Sequence, residues 1–273
     1  MRVAVVGHVE WIRFAAVERL PEQGEIINAS ATWEEPGGGG AVAAGQLRNL
    51  AGDVDFFVAV GNDDLGRRTR ERLEQLGFRV HAATRDQPQR RVFTFVDAAG
   101  ERTITLMGEK LHPHGADRLP WDELAKADAV YFSAGDADAL RAARQARILV
   151  ATAREMATLL EAQVPVDALV RSGTDPDEAY EPGQLDPEPR IVVSTMGRDG
   201  GSFRAGERSG SYPAAAVPGE VANAYGAGDS FAAGLAFALA RGDDVDEAVA
   251  FAARCGAAAL TGLGAYDGQL RLP

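Results

Sequence analysis

Short, unbroken apolar runs alternate with helical stretches along this chain, and that alternation limits the fold more than any other feature. The runs are Val3–Gly7, Phe56–Val60, Ala129–Ser133, Ile148–Ala151, Ala168–Arg171 and Ile191–Ser194. Several are continuous in Val, Ile and Phe, as strands covered on both faces are. Between them Ala41–Leu50, Arg67–Leu76, Ala137–Gln145 and Ala153–Ala162 read as helices. Strand and helix in turn predict an α/β fold, a central and mainly parallel sheet with helices on both sides.

Two stretches break the rhythm. Glu25–Glu35 places Ile26, Ile27, Ala29, Ala31 and Trp33 among polar residues. Arg91–Met107 has two alternating segments joined by Asp97-Ala98-Ala99-Gly100, a hairpin with a Gly-containing turn. Alternation marks half-exposed antiparallel strands. The expectation is a small β-sheet lid, drawn from about residues 10–35 and 90–107 of a single domain spanning 1–273. Further on, Thr174–Pro189 is rich in Pro, Asp, Glu and Gly and reads largely as loop. Ser230–Ala240 and Asp246–Leu260 are Ala-rich and read as buried helices.

Composition narrows the function. The net charge of −12 argues against nucleic acid, which needs a basic footprint. No run of 18 apolar residues reads as a membrane span, and the first strand is too short and badly flanked for a signal peptide. Cys255 is the single cysteine, so no intrachain disulfide can form, and it reads as a small packed residue. A cytoplasmic protein is expected. Anionic ligands are compatible with the acidic chain, because backbone amides and a metal ion hold phosphates without a basic surface.

The most informative segment is Asn223–Phe231, with Gly226-Ala227-Gly228 followed by Asp229 and an apolar helix. Small residues at a helix N-terminus expose free amides, and the helix dipole adds to their pull on an anion. Asp229 at that mouth has two readings. One is a helix N-cap, worth about 1 kcal/mol. The other is a general base for a hydroxyl attacking phosphorus, since phosphoryl transfer needs mainly positioning and charge neutralisation.

Gly226-Ala227-Gly228-Asp229 resembles the D-T-x-G-A-G-D signature of PfkB, or ribokinase-like, kinases. Pro36-Gly37-Gly38-Gly39-Gly40-Ala41 resembles the family's P-G-G-x-x-A, and Gly61-Asn62-Asp63-Asp64-Leu65-Gly66 its G-D-D-x-x-G. Thr195-Met196-Gly197-Arg198-Asp199-Gly200 resembles its T-x-G-x-x-G, and Arg19-Leu20-Pro21-Glu22-Gln23-Gly24-Glu25 its R-L-P-x-x-G-E. The resemblance spans nearly the whole chain. It implies a ribokinase-like fold with a β-lid, and ATP and Mg²⁺ as cofactors. It implies that Asp229 is the base and that Gly226, Ala227 and Gly228 form the anion hole. It puts Thr195, Gly197 and Gly200 at the nucleotide, with the helix of Cys255 and the Gly262–Ala265 segment, Gly264 included, bordering adenine. It puts Gly38, Gly39 and Asn223 near the acceptor. Asp175-Pro176-Asp177-Glu178 resembles N-x-x-E, in which Glu178 organises Mg²⁺ through water.

The acceptor side departs from the family. Ile12 stands where a sugar-binding aspartate is usual, Val42 where an asparagine is, and Asn223-Ala224 replaces D-T. Ribose or fructose held by the usual contacts is therefore not expected. His8 and Glu10 are the candidate replacements, with Trp11 beside them either stacking on a ligand or packing in the lid core. Arg90 and Arg91 read as solvated, and His112-Pro113-His114 as loop, without partners at metal-ligand spacing. The leading expectation is an ATP-dependent kinase acting on a hydroxyl of a small sugar or nucleoside-like metabolite. The alternative is a nucleotide-binding regulatory protein of the same fold. A dinucleotide oxidoreductase is excluded, because Gly7-His8-Val9-Glu10-Trp11-Ile12 lacks G-x-G-x-x-G. A lid sheet with an exposed face also suits pairing with a second copy, so a homodimer through the lid is one arrangement the sequence allows.

Overall fold

The computed structural model describes residues 1–272. In chain order it forms β1 (Val3–Val6), β2 (Glu10–Ala16), β3 (Ala31–Gly37), α1 (Gly39–Ala51), β4 (Asp55–Gly61), α2 (Asp64–Gln75), β5 (Arg79–Arg85), β6 (Arg91–Val96) and β7 (Arg102–Met107). There follow β8 (Ala129–Phe132), α3 (Ala137–Ala143), β9 (Ile148–Thr152), α4 (Met156–Ala162), β10 (Ala168–Ser172), β11 (Ile191–Thr195), β12 (Gly201–Ala205), β13 (Arg208–Tyr212), α5 (Ala227–Arg241) and α6 (Val245–Ala259). Among the described residues one nine-stranded sheet runs β13-β12-β11-β10-β9-β8-β1-β4-β5, and a four-stranded sheet runs β3-β2-β6-β7. The large sheet is parallel from β11 to β5, and β12 and β13 close its far edge as an antiparallel hairpin.

The parallel strands are apolar on both faces because helices cover both. On one face α1, α5 and α6 bury Leu47, Phe231, Leu235 and Val249 against Phe56 and Tyr131. On the other, α3 and α4 bury Leu140 and Leu159 against Phe57, Phe132 and Leu149. Local chemistry sets the helix starts. Asp63 and Asp136 accept hydrogen bonds from the Gly66 and Ala139 amides, and Asp244 with Glu247 closes a capping box on α6.

The small sheet meets the body through a third apolar cluster. Ile12 and Phe14 of β2, Val92 and Val96 of β6, Val42 of α1, Tyr225 and Ala265 share it. Strand β2 lies at the centre of this sheet, antiparallel to β3 and parallel to β6. Within the lid, β3 begins later than the expected Glu25–Glu35 segment. Pairing starts at Ala31, while Arg19 clasps Glu25 across an excursion that leaves Ile26 exposed. The alternation in residues 25–30 has no neighbouring strand to satisfy.

Strand β5 and the β12–β13 hairpin escape the sequence reading because sheet edges tolerate polar side chains. Arg79, His81 and Arg85 interrupt the first, and Ser202, Arg204, Ser209 and Ser211 the second. Helix α4 starts at Met156 rather than Ala153, because Ala153–Glu155 forms a 3-10 turn.

Candidate active site

A cleft of about 1270 Å³ opens at the carboxyl ends of β1 and β8 to β11, the side on which open α/β sheets hold ligands. His8 follows β1, Ser133 follows β8, Thr152 ends β9, and the Thr195–Gly200 turn follows β11. The start of α5 supplies the opposite wall, and the lid turn Ala99–Arg102 roofs it. That turn rests on the body: the Ala224 amide donates to the Gly100 carbonyl at 3.0 Å.

Helix α5 removes one reading of Asp229, the N-cap. Its N-cap is Gly226, left-handed at φ 77°, and no side chain caps it. Asp229 sits in the first turn instead, lining the cleft. The Ser230 amide is the one that turns back to the Gly226 carbonyl, at 2.9 Å. The amides before it lack helical partners. A Cβ on Gly228 would meet nothing within 4 Å, so the space beside this residue is open. Burial pushes the Asp229 carboxyl up to about 6, and the charge of Glu178 adds to the shift, while Arg102 and Arg154 oppose it.

The end of the cleft at the start of α1 is built around glycines. Gly38 has φ 85°, and its amide donates to the Tyr225 hydroxyl at 2.7 Å. The Gly39 amide donates to His8 Nε2 at 3.3 Å. A Cβ on Gly39 would stand 2.6 Å from Asp229 Oδ1 and 3.5 Å from the His8 ring, so only glycine lets carboxylate and imidazole share this corner. Burial, reinforced by Lys110, Arg90, His112 and Arg154, lowers His8 to about 3 and keeps the ring neutral.

At the other end the Thr195–Gly200 turn faces Ala253, Gly256 and Ala257 of α6, with Ala214 and Ala215 alongside. These small residues leave a flat apolar slot. Gly197 and Gly200 both have positive φ, and a Cβ on Gly200 would lie 2.1 Å from the Tyr212 carbonyl oxygen. Between the two ends Arg154 ties Asp175 to Glu178 with contacts of 2.5 and 2.7 Å. Glu178 also accepts from the Ser172 amide at 2.7 Å.

The cleft thus gathers His8, Gly39, Glu178, Thr195, Gly197, Gly200 and Gly226–Asp229. Other sequence candidates lie elsewhere. Gly264 packs on Glu35 of the lid, where a Cβ would meet Oε1 at 2.1 Å, and it does not line the cleft. Asn223 is buried and spent internally: it accepts from the Tyr225 amide at 2.9 Å and donates to the Leu263 carbonyl at 2.7 Å. Glu10 is buried against Arg90 at 2.9 Å, so Arg90 is not solvated as expected. Trp11 packs in the lid, bonded to Glu34 at 3.0 Å and covered by Arg68. Ile12 and Val42 are wholly buried in the lid joint.

Ser133 and Arg154 were not among the sequence candidates, and the α6 stripe was anticipated only as the helix of Cys255 that the resemblance sets beside adenine. The stripe had a signal, since Ala253, Gly256, Ala257 and Leu260 recur at helical spacing. A serine at a strand end and an arginine in a 3-10 turn had none. Among the described residues no cluster of His, Cys, Asp and Glu is composed to hold a metal by itself, and no helix is long and apolar enough to cross a membrane.

Comparison with known proteins agrees with this geometry. The sequence profile of the pfkB family carbohydrate kinases matches residues 1–163 and 133–271. An ATP-dependent ribose-1-phosphate kinase from Halopiger xanaduensis is 26% identical over 94% of this chain and 91% of its own length. An aminoimidazole riboside kinase from Salmonella typhimurium is 29% identical over 92% of this chain and 88% of its own. The fold is shared with a putative ribokinase from Agrobacterium tumefaciens, at a TM-score of 0.82 and 20% identity, covering 99% of this chain and 94% of that one. The chain belongs to the pfkB family of carbohydrate kinases, phosphotransferases that act on an alcohol group.

Proposed function

We propose that this chain transfers the γ-phosphoryl group of ATP to a hydroxyl of a sugar- or nucleoside-like metabolite, with Asp229 as general base. The observation that carries the proposal is a carboxylate with a raised pKa beside amides that no helical carbonyl uses. A pure nucleotide binder has no need of that pairing. The relatives named for ribose 1-phosphate and an imidazole riboside support an acceptor of this class.

The steps follow from the walls of the cleft. The nucleotide lies in the slot between the Thr195–Gly200 turn and α6. The acceptor hydroxyl lies at the Gly39 corner, within reach of Asp229. Asp229 takes its proton as the oxygen attacks phosphorus. The amides of Gly226, Ala227 and Gly228 hold the transferring oxygens, and the positive end of α5 adds to their effect. The lid turn over the cleft excludes water. Magnesium fits the donor set: it keeps several waters, binds phosphates, and needs only one or two carboxylates, which Glu178 and Asp175 offer. Held there through water by Glu178 and Asp175, it would supply charge neutralisation on the phosphates.

The test is Asp229→Asn. Turnover is expected to fall by about 10²–10⁴-fold while the affinity for ADP changes little. Near wild-type turnover in this variant would sink the role of Asp229.

A further inference from the structure

The kinase reading gives Arg154 no task, yet this residue holds the two carboxylates on which the magnesium of that reading depends. Arg154 lies in the 3-10 turn after β9 and lines the cleft. Its Nη2 donates to Asp175 Oδ2 at 2.5 Å and to Glu178 Oε1 at 2.7 Å, and its Nε reaches Glu178 Oε1 at 3.1 Å. Two oxygens that share one nitrogen lie at most about 5 Å apart. The far oxygens are anchored by backbone: Glu178 Oε2 accepts from the Ser172 amide at 2.7 Å, and Asp175 Oδ1 from the Asp177 amide at 3.0 Å. The acids are thus fixed and the cation is the movable part. The Arg154 side chain is 48% exposed, against 14% for Glu178.

Charge explains why a guanidinium sits there. Asp175 stands where N-x-x-E has asparagine, so this pair of acids carries one negative charge more than that motif. Two carboxylates this close repel each other, and Arg154 cancels the surplus. Among the described residues no other lysine or arginine pairs with either acid. Lys110, one residue position away through Glu155, is held by that glutamate at 2.5 Å. A divalent cation would use the same oxygens, and it must first move a charge of its own sign. Ion pairs this exposed are weak, so the guanidinium can leave if another anion receives it. Phosphate is such an anion, since its oxygens match the planar fork of arginine. The charges of Glu178 and Arg154 also act on Asp229 with opposite signs, so the pair lies within electrostatic reach of that carboxyl.

We propose that Arg154 is a built-in counter-cation that competes with a divalent metal for Asp175 and Glu178, so that the metal enters the cleft only together with a nucleotide, whose phosphates receive the displaced guanidinium. The transfer of Arg154 to phosphate rests on the kinase reading; the competition for the two carboxylates does not.

The experiment titrates the full chain with Mn²⁺, read by the paramagnetic resonance signal of the free ion, first without nucleotide and then with saturating ADP. Arg154→Gln and Arg154→Met, both checked for folding by circular dichroism, should bind Mn²⁺ alone about tenfold or more tighter than the wild type, because a unit charge a few ångströms away is gone. Arg154→Lys keeps the charge and should stay near the wild type. Adding Asp175→Asn to Arg154→Gln should remove most of the gain, which ties the bound Mn²⁺ to these two acids. With ADP present the wild type should come to within about threefold of Arg154→Gln, so the coupling between metal and nucleotide is larger in the wild type than in the variant. Equal Mn²⁺ affinity of wild type and Arg154→Gln without nucleotide overturns the proposal, as does a gain that survives Asp175→Asn, or Mn²⁺ binding in neither protein. A gain in Arg154→Gln with no ADP binding in any variant keeps the competition and sinks the kinase reading instead.

Discussion

Asp229 is ionised only above the pH at which its buried carboxyl loses its proton, about 6. A base must be ionised to act, so kcat/KM for the acceptor should fall roughly tenfold per pH unit below about 6, with an acid limb that Asp229→Asn removes. The sign for stability is opposite to that of a salt-bridged acid. Below the ordinary value of 3.8 the group is protonated in both folded and unfolded chains and contributes nothing. Between 3.8 and about 6 the folded chain holds the proton more tightly, and above that its ionised form carries the full cost of burial. Asp229→Asn should therefore raise Tm at pH 8 and lose that gain near pH 4, which differential scanning fluorimetry would show. A Tm gain that persists at pH 4 would contradict the assignment. The residue itself was legible: Gly226-Ala227-Gly228-Asp229 is a spacing with a mechanism. Ser133 was not, because a lone serine at a strand end carries no pattern, and only the third dimension sets it in the wall of the cleft.

Among the elements, the joint between lid and body decides how the two halves of the cleft face each other. Tyr225 crosses that joint. Its hydroxyl receives the Gly38 amide, its ring meets Phe14 of β2 edge-on at 5.4 Å, and its own amide is held by Asn223. A second tie runs from the segment after α6: Tyr266 donates to the Pro36 carbonyl at 2.8 Å, and the Ala265 amide donates to Glu35 at 2.6 Å. Tyr225→Phe keeps the ring and leaves the buried Gly38 amide unpaired, a loss of about 1–3 kcal/mol. The expected outcome is a Tm lower by several degrees, a raised acceptor KM and an unchanged KM for ATP; equal loss on both substrates would place the effect elsewhere. Sequence patterns showed that a lid exists, because Arg91–Met107 alternates cleanly. They started β3 too early, at Glu25 instead of Ala31, since residues 25–30 have no strand to pair with. They also read Asn223 as a ligand contact, because hydrogen bonds to Leu263 and Tyr225 depend on loops that meet only in the folded chain.

At the scale of the whole molecule, the parallel core was the most legible part, since strands buried on both faces must be continuous in Val, Ile and Phe. The same core gives a probe of global stability. Cys255 lies on α6 against Gly234 of α5, where a Cβ would come within 2.7 Å of its sulfur, and it is wholly buried. Burial pushes its thiol up to about 12, against the pull of Arg254 and Arg241, so little reactive thiolate forms near neutral pH. A disulfide reagent should thus reach this thiol only when α5 and α6 part, which requires opening the main core. The labelling rate in native buffer should lie orders of magnitude below that of the chain in denaturant. The proposed nucleotide slot uses the neighbouring face of the same helix, where Ala253, Gly256 and Ala257 line the cleft. Saturating ADP binds only the closed arrangement and should slow labelling in proportion to its concentration over Kd. Fast labelling in native buffer would mean that α6 opens independently of the core. Labelling that ADP leaves unchanged would mean that the nucleotide does not rest on α6.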